Sequence, residues 1–329
     1  MGEAVLKPLD TLSALAEAHW GRPVEPGEWR AIASGASGRF IARCGFGGAP
    51  VIGVYWTPDR ADNASFPGAA ETLRRGGVRV PAILTLRDCG GGCGACLVED
   101  LGDVCLLNRK GEPWPRLRVL YRQALIEAAR VHALPADKGL QPPFDEALYR
   151  WEQSYFAAHF LALHMGKAAS GFEDRPAMRQ MAAFLAGLPR VLVHRDFQSQ
   201  NVMLFQDKAW LIDFQGMRGG LAEYDLASLV FDPYMDLEFE QRLELLSLWE
   251  ELKGEPLDAA VFVPCALQRI LQALGAYANL WYRGGKEWYR QWIAPALRSL
   301  EQIARLPGGG TVADEALACL RDEHVLPVS

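Results

Sequence analysis

The string HRDFQSQN at residues 194–201, followed by LIDFQ at 211–215, leaves few folds open to this chain. An apolar run over Val191–Val193 leads into it, and Val202–Phe205 and 210–212 read as paired strands with a turn at 206–208. The pattern HxDxxxxN confines an Asp and an Asn to one short loop, and the strand after it delivers a second Asp. Phosphoryl transfer uses that set. Asp196 is placed to accept the proton of a hydroxyl, Asn201 to turn its carbonyl oxygen toward Mg²⁺, and Asp213 to serve as the second metal ligand.

Size and charge narrow the setting. At 329 residues with a 50% hydrophobic fraction the chain exceeds one simple domain, and two lobes sharing a cleft are expected. The net charge is −6 and Lys and Arg are scattered, so neither nucleic acid nor an acidic membrane is an expected partner, and small-molecule chemistry is. The first residues, MGEAVLKPLDTLSALAEAHW, mix charges with apolar residues and contain no signal-type apolar run, and Leu6 breaks the myristoylation pattern. No apolar stretch reads as long and clean enough to span a bilayer. Seven cysteines, an odd number, read as reduced thiols of a cytoplasmic protein.

Helical apolar spacing is expected over 9–20, 116–134, 144–164, 177–187, 236–253, 258–282 and 287–305, with a hinge at 308–310 before a short last helix. Strands are expected at 31–33, 40–43 and 51–56, and a short helix at 66–76. Between the first two strands Ser34, Gly35, Ala36, Ser37 and Gly38 form a candidate phosphate loop, because small residues let backbone N–H groups approach phosphates. Cys89, Cys93 and Cys96, with Cys105 further on, lie in a glycine-rich hairpin. Their spacing lacks the two short clips of a structural zinc site, so they read as incidental thiols in a turn.

The ordered set of motifs resembles the protein kinase-like fold, and within it the aminoglycoside phosphotransferase branch. The resemblance rests on the loop, on LVEDLGD at 97–103 as an inter-lobe connection, and on Tyr224, Asp225, Leu226, Ser228, Leu229 and Asp232 downstream. It implies an α+β bilobal architecture, with a small β-rich N-lobe over 1–101 that binds nucleotide and a larger, mainly helical C-lobe over 102–329. ATP would place its adenine near Glu99 and Leu101 and its phosphates under the loop at 34–38. The strand at 51–56, VIGVYW, lacks the lysine that a protein kinase carries there, which leaves Glu71 without its usual partner and makes Arg39 the substitute at the phosphates. Arg39 or Arg195 would balance charge on the transferring group. His194 and Arg195 are expected to support the loop, Arg195 by pairing with a carboxylate such as Asp225.

The segments 140–156 and 266–289, with Gln215 after Asp213 and Phe214, are similar to sugar kinases that phosphorylate the anomeric hydroxyl of N-acetylmuramate and N-acetylglucosamine in cell-wall recycling. That group commonly lacks the strand lysine too. The aromatic and basic stretch 277–292 suits a neutral sugar ring and a substrate carboxylate better than a polycation. Arg269 and Trp281 are the expected contacts there. Glu152 reads equally as a hydrogen-bond acceptor for sugar hydroxyls or as a surface ion pair with Arg150. An aminoglycoside or amino-alcohol kinase and a nucleotide-binding pseudokinase are the other readings of the same residues.

Overall fold

A computed structural model describes residues 3–32, 38–45, 50–135 and 140–327. The chain forms two compact units: Met1–Val104 with Asp137–Gln141 and Met203–Met217, and Cys105–Ala136 with Pro142–Val202 and Arg218–Ser329. This division departs from a single cut after Leu101. The reason is main-chain hydrogen bonding: Leu204 donates to the Val104 carbonyl at 2.8 Å and Leu211 to that of Arg79 at 2.8 Å, which tie the segment bearing Asp213 to the first unit.

In the first unit helix α1 (Glu3–Trp20) precedes a five-stranded antiparallel sheet of β1 (Trp29–Ala31), β2 (Phe40–Cys44), β3 (Val51–Trp56), β4 (Ile83–Gly90) and β5 (Cys93–Glu99), ordered β1-β2-β3-β5-β4. Alternation turns Tyr55, Ala95 and Leu97 to one face, where they pack with Leu9, Leu12, Leu15 and Ala16 of α1 and with Trp29. Each such side chain contributes roughly 1.5–3 kcal/mol by leaving water. Gly53 is required for this contact, since a Cβ there would lie 2.7 Å from the Trp29 ring and 2.9 Å from Leu12. Helix α2 (Phe66–Arg75) buries Phe66, Ala69, Ala70 and Leu73, and the Phe66 ring stacks on Phe214 with centroids 5.1 Å apart.

The second unit is mainly helical: α3 (Trp114–His132), α4 (Glu146–Phe156), α5 (Pro176–Ala186), α6 (Ala222–Val230), α7 (Phe239–Lys253), α8 (Ala259–Tyr282), α9 (Ile293–Ile303) and α10 (Gly310–Asp322). The helix expected over 144–164 becomes a π-helix over Ala157–His164, and the one expected over 287–305 opens with a 3₁₀ segment, Glu287–Trp292. Helix α8 packs against α4, α6 and α9. Contrary to the expectation that no stretch suffices, α8 is long and apolar enough to cross a bilayer, yet 72% of its most apolar window is buried inside the protein. Burial against neighbouring helices explains its composition.

Strands β6 (Val191–Val193) and β9 (Arg218–Gly220) pair antiparallel, with Val193 opposite Arg218. The expected hairpin of β7 (Val202–Phe205) and β8 (Lys208–Leu211) is present. Its turn residues, Gln206 and Asp207, both have positive φ, the backbone of a type I′ turn.

Candidate active site

In the second unit β6 delivers the chain into the loop, and Asp225 of α6 holds the loop's first residues. The fully buried Asp225 carboxylate accepts from the main-chain N–H of His194 at 2.7 Å and of Arg195 at 2.8 Å, and contacts His132 Nε2 at 3.0 Å. Arg195 adopts φ 76°, a left-handed backbone that a non-glycine residue keeps only when its surroundings enforce it. Arg195 meets the expected Asp225 through its main-chain N–H, and its guanidinium lies 3.7 Å from the carboxylate of Asp196.

A second buried carboxylate holds the other end of the loop. Asp232 accepts from the main-chain N–H of Ser199 at 2.8 Å and of Tyr234 at 3.0 Å. Asn201 is buried, and its Nδ2 donates to the Asp196 carbonyl at 2.8 Å, an orientation that leaves Oδ1 as the end for a cation. The Asp196 side chain is 32% exposed. Burial by itself would raise its carboxyl, but the charges of Arg195, Arg269, His194 and Arg218 outweigh it and hold the group below its ordinary value. Asp196 is thus ionised and reachable, as a proton acceptor must be.

In the first unit Asp213 has φ 65°, and its carboxylate pairs with the buried guanidinium of Arg39. Arg39 also donates to Gln215 Oε1 at 2.9 Å, and Gln215 Nε2 donates back to Asp213 at 3.2 Å, so the residue after Phe214 closes a three-member network. Glu71 points to solvent and pairs with Arg75. Ser34, Gly35, Ala36 and Ser37 lie outside the described residues. Glu99 accepts from the Ala82 N–H through Oε2 at 3.2 Å, and Leu101 is buried. Asn201 of the second unit carries an amide oxygen and Asp213 of the first a carboxylate, each a hard donor of the kind that Mg²⁺ prefers. Among the described residues no group of three or more His, Cys, Asp or Glu could hold a metal ion.

The expected acceptor contacts separate in the second unit. Glu152 is fully buried and makes no ion pair with Arg150, which pairs with Asp174. Its oxygens accept from the Tyr224 hydroxyl at 3.0 Å and Gln268 Nε2 at 3.0 Å, so these protein donors stand where sugar hydroxyls were expected. Burial raises its carboxyl, with Gln268 and Arg195 opposing. Trp281 donates to Glu287 at 2.8 Å, and its ring lies against Tyr282 in a tilted pair with centroids 4.1 Å apart.

Arg269 does join that group. Its buried guanidinium donates to Ser228 at 2.7 Å and Gln272 at 2.7 Å, and it interacts electrostatically with both Asp196 and Tyr277. From Tyr277 an aromatic wall continues outward: Tyr289 at 5.9 Å, Tyr234 at 5.6 Å, then Trp288 at 5.4 Å and Trp292 at 5.0 Å from Tyr234. Trp288 is 45% exposed at its end. From the sequence, Trp288 and Trp292 read equally as core packing and as sugar platforms; they lie on a 3₁₀ segment, Glu287–Trp292, where α spacing was assumed.

The chain is similar to known proteins in sequence and in fold. The sequence profile of a family described as "Phosphotransferase enzyme family" matches residues 66–262. A protein of Neisseria meningitidis named N-acetylmuramate/N-acetylglucosamine kinase is 30% identical over 229 residues, covering 64% of this chain and 67% of that protein. One of the same name from Pseudomonas aeruginosa is 29% identical over 308 residues, covering 88% and 87%. Among solved structures, a choline/ethanolamine kinase family protein from Mesorhizobium loti superposes with a TM-score of 0.63 at 15% identity, covering 96% of this chain and 98% of that one. An aminoglycoside phosphotransferase in ternary complex with ADP and hygromycin B gives 0.56 at 13% identity, covering 89% and 98%. At these identities the structural likeness speaks for the fold.

Proposed function

Because the chain belongs to the phosphotransferase enzyme family, we propose that it is an ATP-dependent kinase of the anomeric hydroxyl of an amino sugar, N-acetylmuramate or N-acetylglucosamine. The observation that carries this reading is Asp196: partly exposed, kept ionised by arginines, and joined through Arg269 to an aromatic wall. Aromatic faces suit the C–H surface of a sugar ring, and the anomeric hydroxyl is the most acidic hydroxyl of a free sugar, so a carboxylate base needs little help to take its proton. Two relatives bear the name of that activity.

In this reading Asp196 orients the acceptor hydroxyl and receives its proton as the oxygen meets the γ-phosphorus. Asn201 and Asp213 would hold Mg²⁺, which when bound offsets charge on the phosphates. Arg39, linked to Asp213 and Gln215, stands in for the missing strand lysine as the cation of the phosphate side, and Glu99 and Leu101 flank the adenine. Arg195, Arg218 and Arg269 around Asp196 disfavour a polycationic antibiotic and favour a neutral or carboxylate-bearing sugar. Need for ATP and the free cysteines support a cytoplasmic reaction in this reading.

The test is ADP release with a panel of acceptors: free N-acetylmuramate and N-acetylglucosamine, their methyl glycosides, kanamycin and choline. Free sugars should turn over and methyl glycosides should not. Equal rates on a methyl glycoside, or a preference for kanamycin or choline, would overturn the anomeric reading.

A further inference from the structure

We propose that Cys89 and Cys93 form an oxidisable dithiol site at the tip of the β4–β5 hairpin, one that closes reversibly to a disulfide. The hairpin turn is made by Gly91 and Gly92, with φ of 60° and 80°, the type I′ geometry that glycine adopts without strain. Gly90 pairs with Cys93 across it, and Asp88 pairs with Gly94. Cys89 is therefore an extra residue on β4, a β-bulge in which Cys89 and Gly90 together oppose Cys93. Gly90 is the residue registered opposite Cys93, and the bulge sets Cys89 beside it as the second residue facing that one partner; a disulfide accepts Cα spacings of roughly 4.4–6.8 Å.

Both cysteines act on one neighbour, Tyr55. Cys93 and Ala95 share a face by alternation, and Ala95 lies opposite Tyr55 on β3. Burial raises the Tyr55 phenol, and it is raised further by a hydrogen bond with Cys93 and by the charge of Cys89, so the Cys93 thiol bonds the phenol and the Cys89 thiol acts on it electrostatically. Cys89 is exposed and Cys93 half-buried, which lets an oxidant reach the first and leaves the second beside it. Cys96 is no competitor. It points to the opposite face, is buried, and burial pushes its thiol up to about 12 against a smaller pull from Arg39. Cys105 belongs to the other compact unit.

The chemistry balances with an organic hydroperoxide as oxidant. The Cys89 thiolate attacks the outer peroxide oxygen, the O–O bond breaks, and the peroxide leaves as an alcohol, giving a Cys89 sulfenic acid. Cys93 sulfur then attacks the Cys89 sulfur, the S–S bond forms, and hydroxide leaves with the Cys93 proton as water. Two thiols lose two electrons and two protons. A dithiol reductant reverses the step.

The full-length protein is treated with tert-butyl hydroperoxide, remaining thiols are alkylated, and the peptide 88–109, released by cleavage after Arg87 and Arg109, is analysed by fragmentation. The expected peptide is two hydrogen atoms lighter, with the bond between Cys89 and Cys93, with Cys96 and Cys105 alkylated, and with full recovery of thiols after dithiothreitol. Cys93→Ser should stop at a dimedone-reactive sulfenic acid on Cys89. Phenylarsine oxide, which needs two adjacent thiols, should bind one per chain and lose that binding in Cys89→Ser and in Cys93→Ser. The proposal is overturned if the oxidised peptide links Cys89 to Cys96 or Cys105, if the bond joins two chains, if both cysteines stay fully alkylated in excess oxidant, or if arsenical binding survives either substitution.

Discussion

At the residue scale the site is a matter of how carboxylates are surrounded. Asp196, Asp225 and Asp232 all lie on or beside one loop, yet Asp225 and Asp232 spend their oxygens on main-chain N–H groups while Asp196 keeps a third of its side chain exposed. Asp196→Asn should retain folding and lower turnover by roughly 10²–10⁴, the range for losing a positioned base; turnover within a few fold of wild type would remove Asp196 from that role. The pH profile follows from the same surroundings. Burial raises the Asp196 carboxyl and Arg195 and Arg269 lead the opposing pull, so the base is lost only as pH falls below the ordinary carboxylate range. Arg269→Gln removes part of that pull and should move the acid limb of kcat/KM to higher pH. An unmoved limb would show that Arg269 does not act on Asp196. For Asp232→Asn, an amide N–H₂ would meet a main-chain N–H. We expect a loss of about 1–3 kcal/mol in denaturant stability and a lower kcat with acceptor KM little changed, since the displaced group is the loop and not the wall; a stability equal to wild type would contradict the hydrogen bonds described.

At the scale of elements, apolar spacing was legible wherever one helix face meets one core, as in α3, α5 and α10. It misjudged the two helices that change winding, the π-helix at Ala157–His164 and the 3₁₀ segment at Glu287–Trp292, because winding responds to packing as well as to residue order. The second of these segments carries part of the aromatic wall. Trp288 stands at its exposed end and contacts Tyr234, Tyr289 and Trp292. Trp288→Ala should raise the acceptor KM by roughly tenfold, the equivalent of about 1.4 kcal/mol, and leave the ATP KM and the melting temperature near wild type. Steady-state kinetics with each substrate varied in turn decide it: a selective rise in ATP KM would exclude the wall as an acceptor surface. Strands β4 and β5 were read only as a glycine-rich turn, since exposed residues on β4 break the alternation that marks a strand.

At the scale of the whole molecule, each compact unit has its own core: α1 on the five-stranded sheet in one, helices around α8 in the other. Leu12→Ala should cost roughly 2–5 kcal/mol, and in hydrogen exchange the amides of β2, β3 and β5 should lose protection while those of α8 keep it. Equal loss in both would mean that the cores unfold together. The net charge of −6 says nothing of the arginines gathered around Asp196, because a chain-wide sum is blind to which charges fold beside each other. By itself the sequence determined the fold class and supplied the candidate set Asp196, Asn201 and Asp213, since those residues are spaced along a few local turns and strands whose geometry the backbone imposes. Tertiary structure alone decided that Arg39 meets Gln215 across 176 positions and that Tyr277, Tyr234 and Trp288 form one aromatic run from Arg269. Partners so distant in the chain meet only when whole elements pack, and side-chain direction at each contact depends on the winding and register that packing selects.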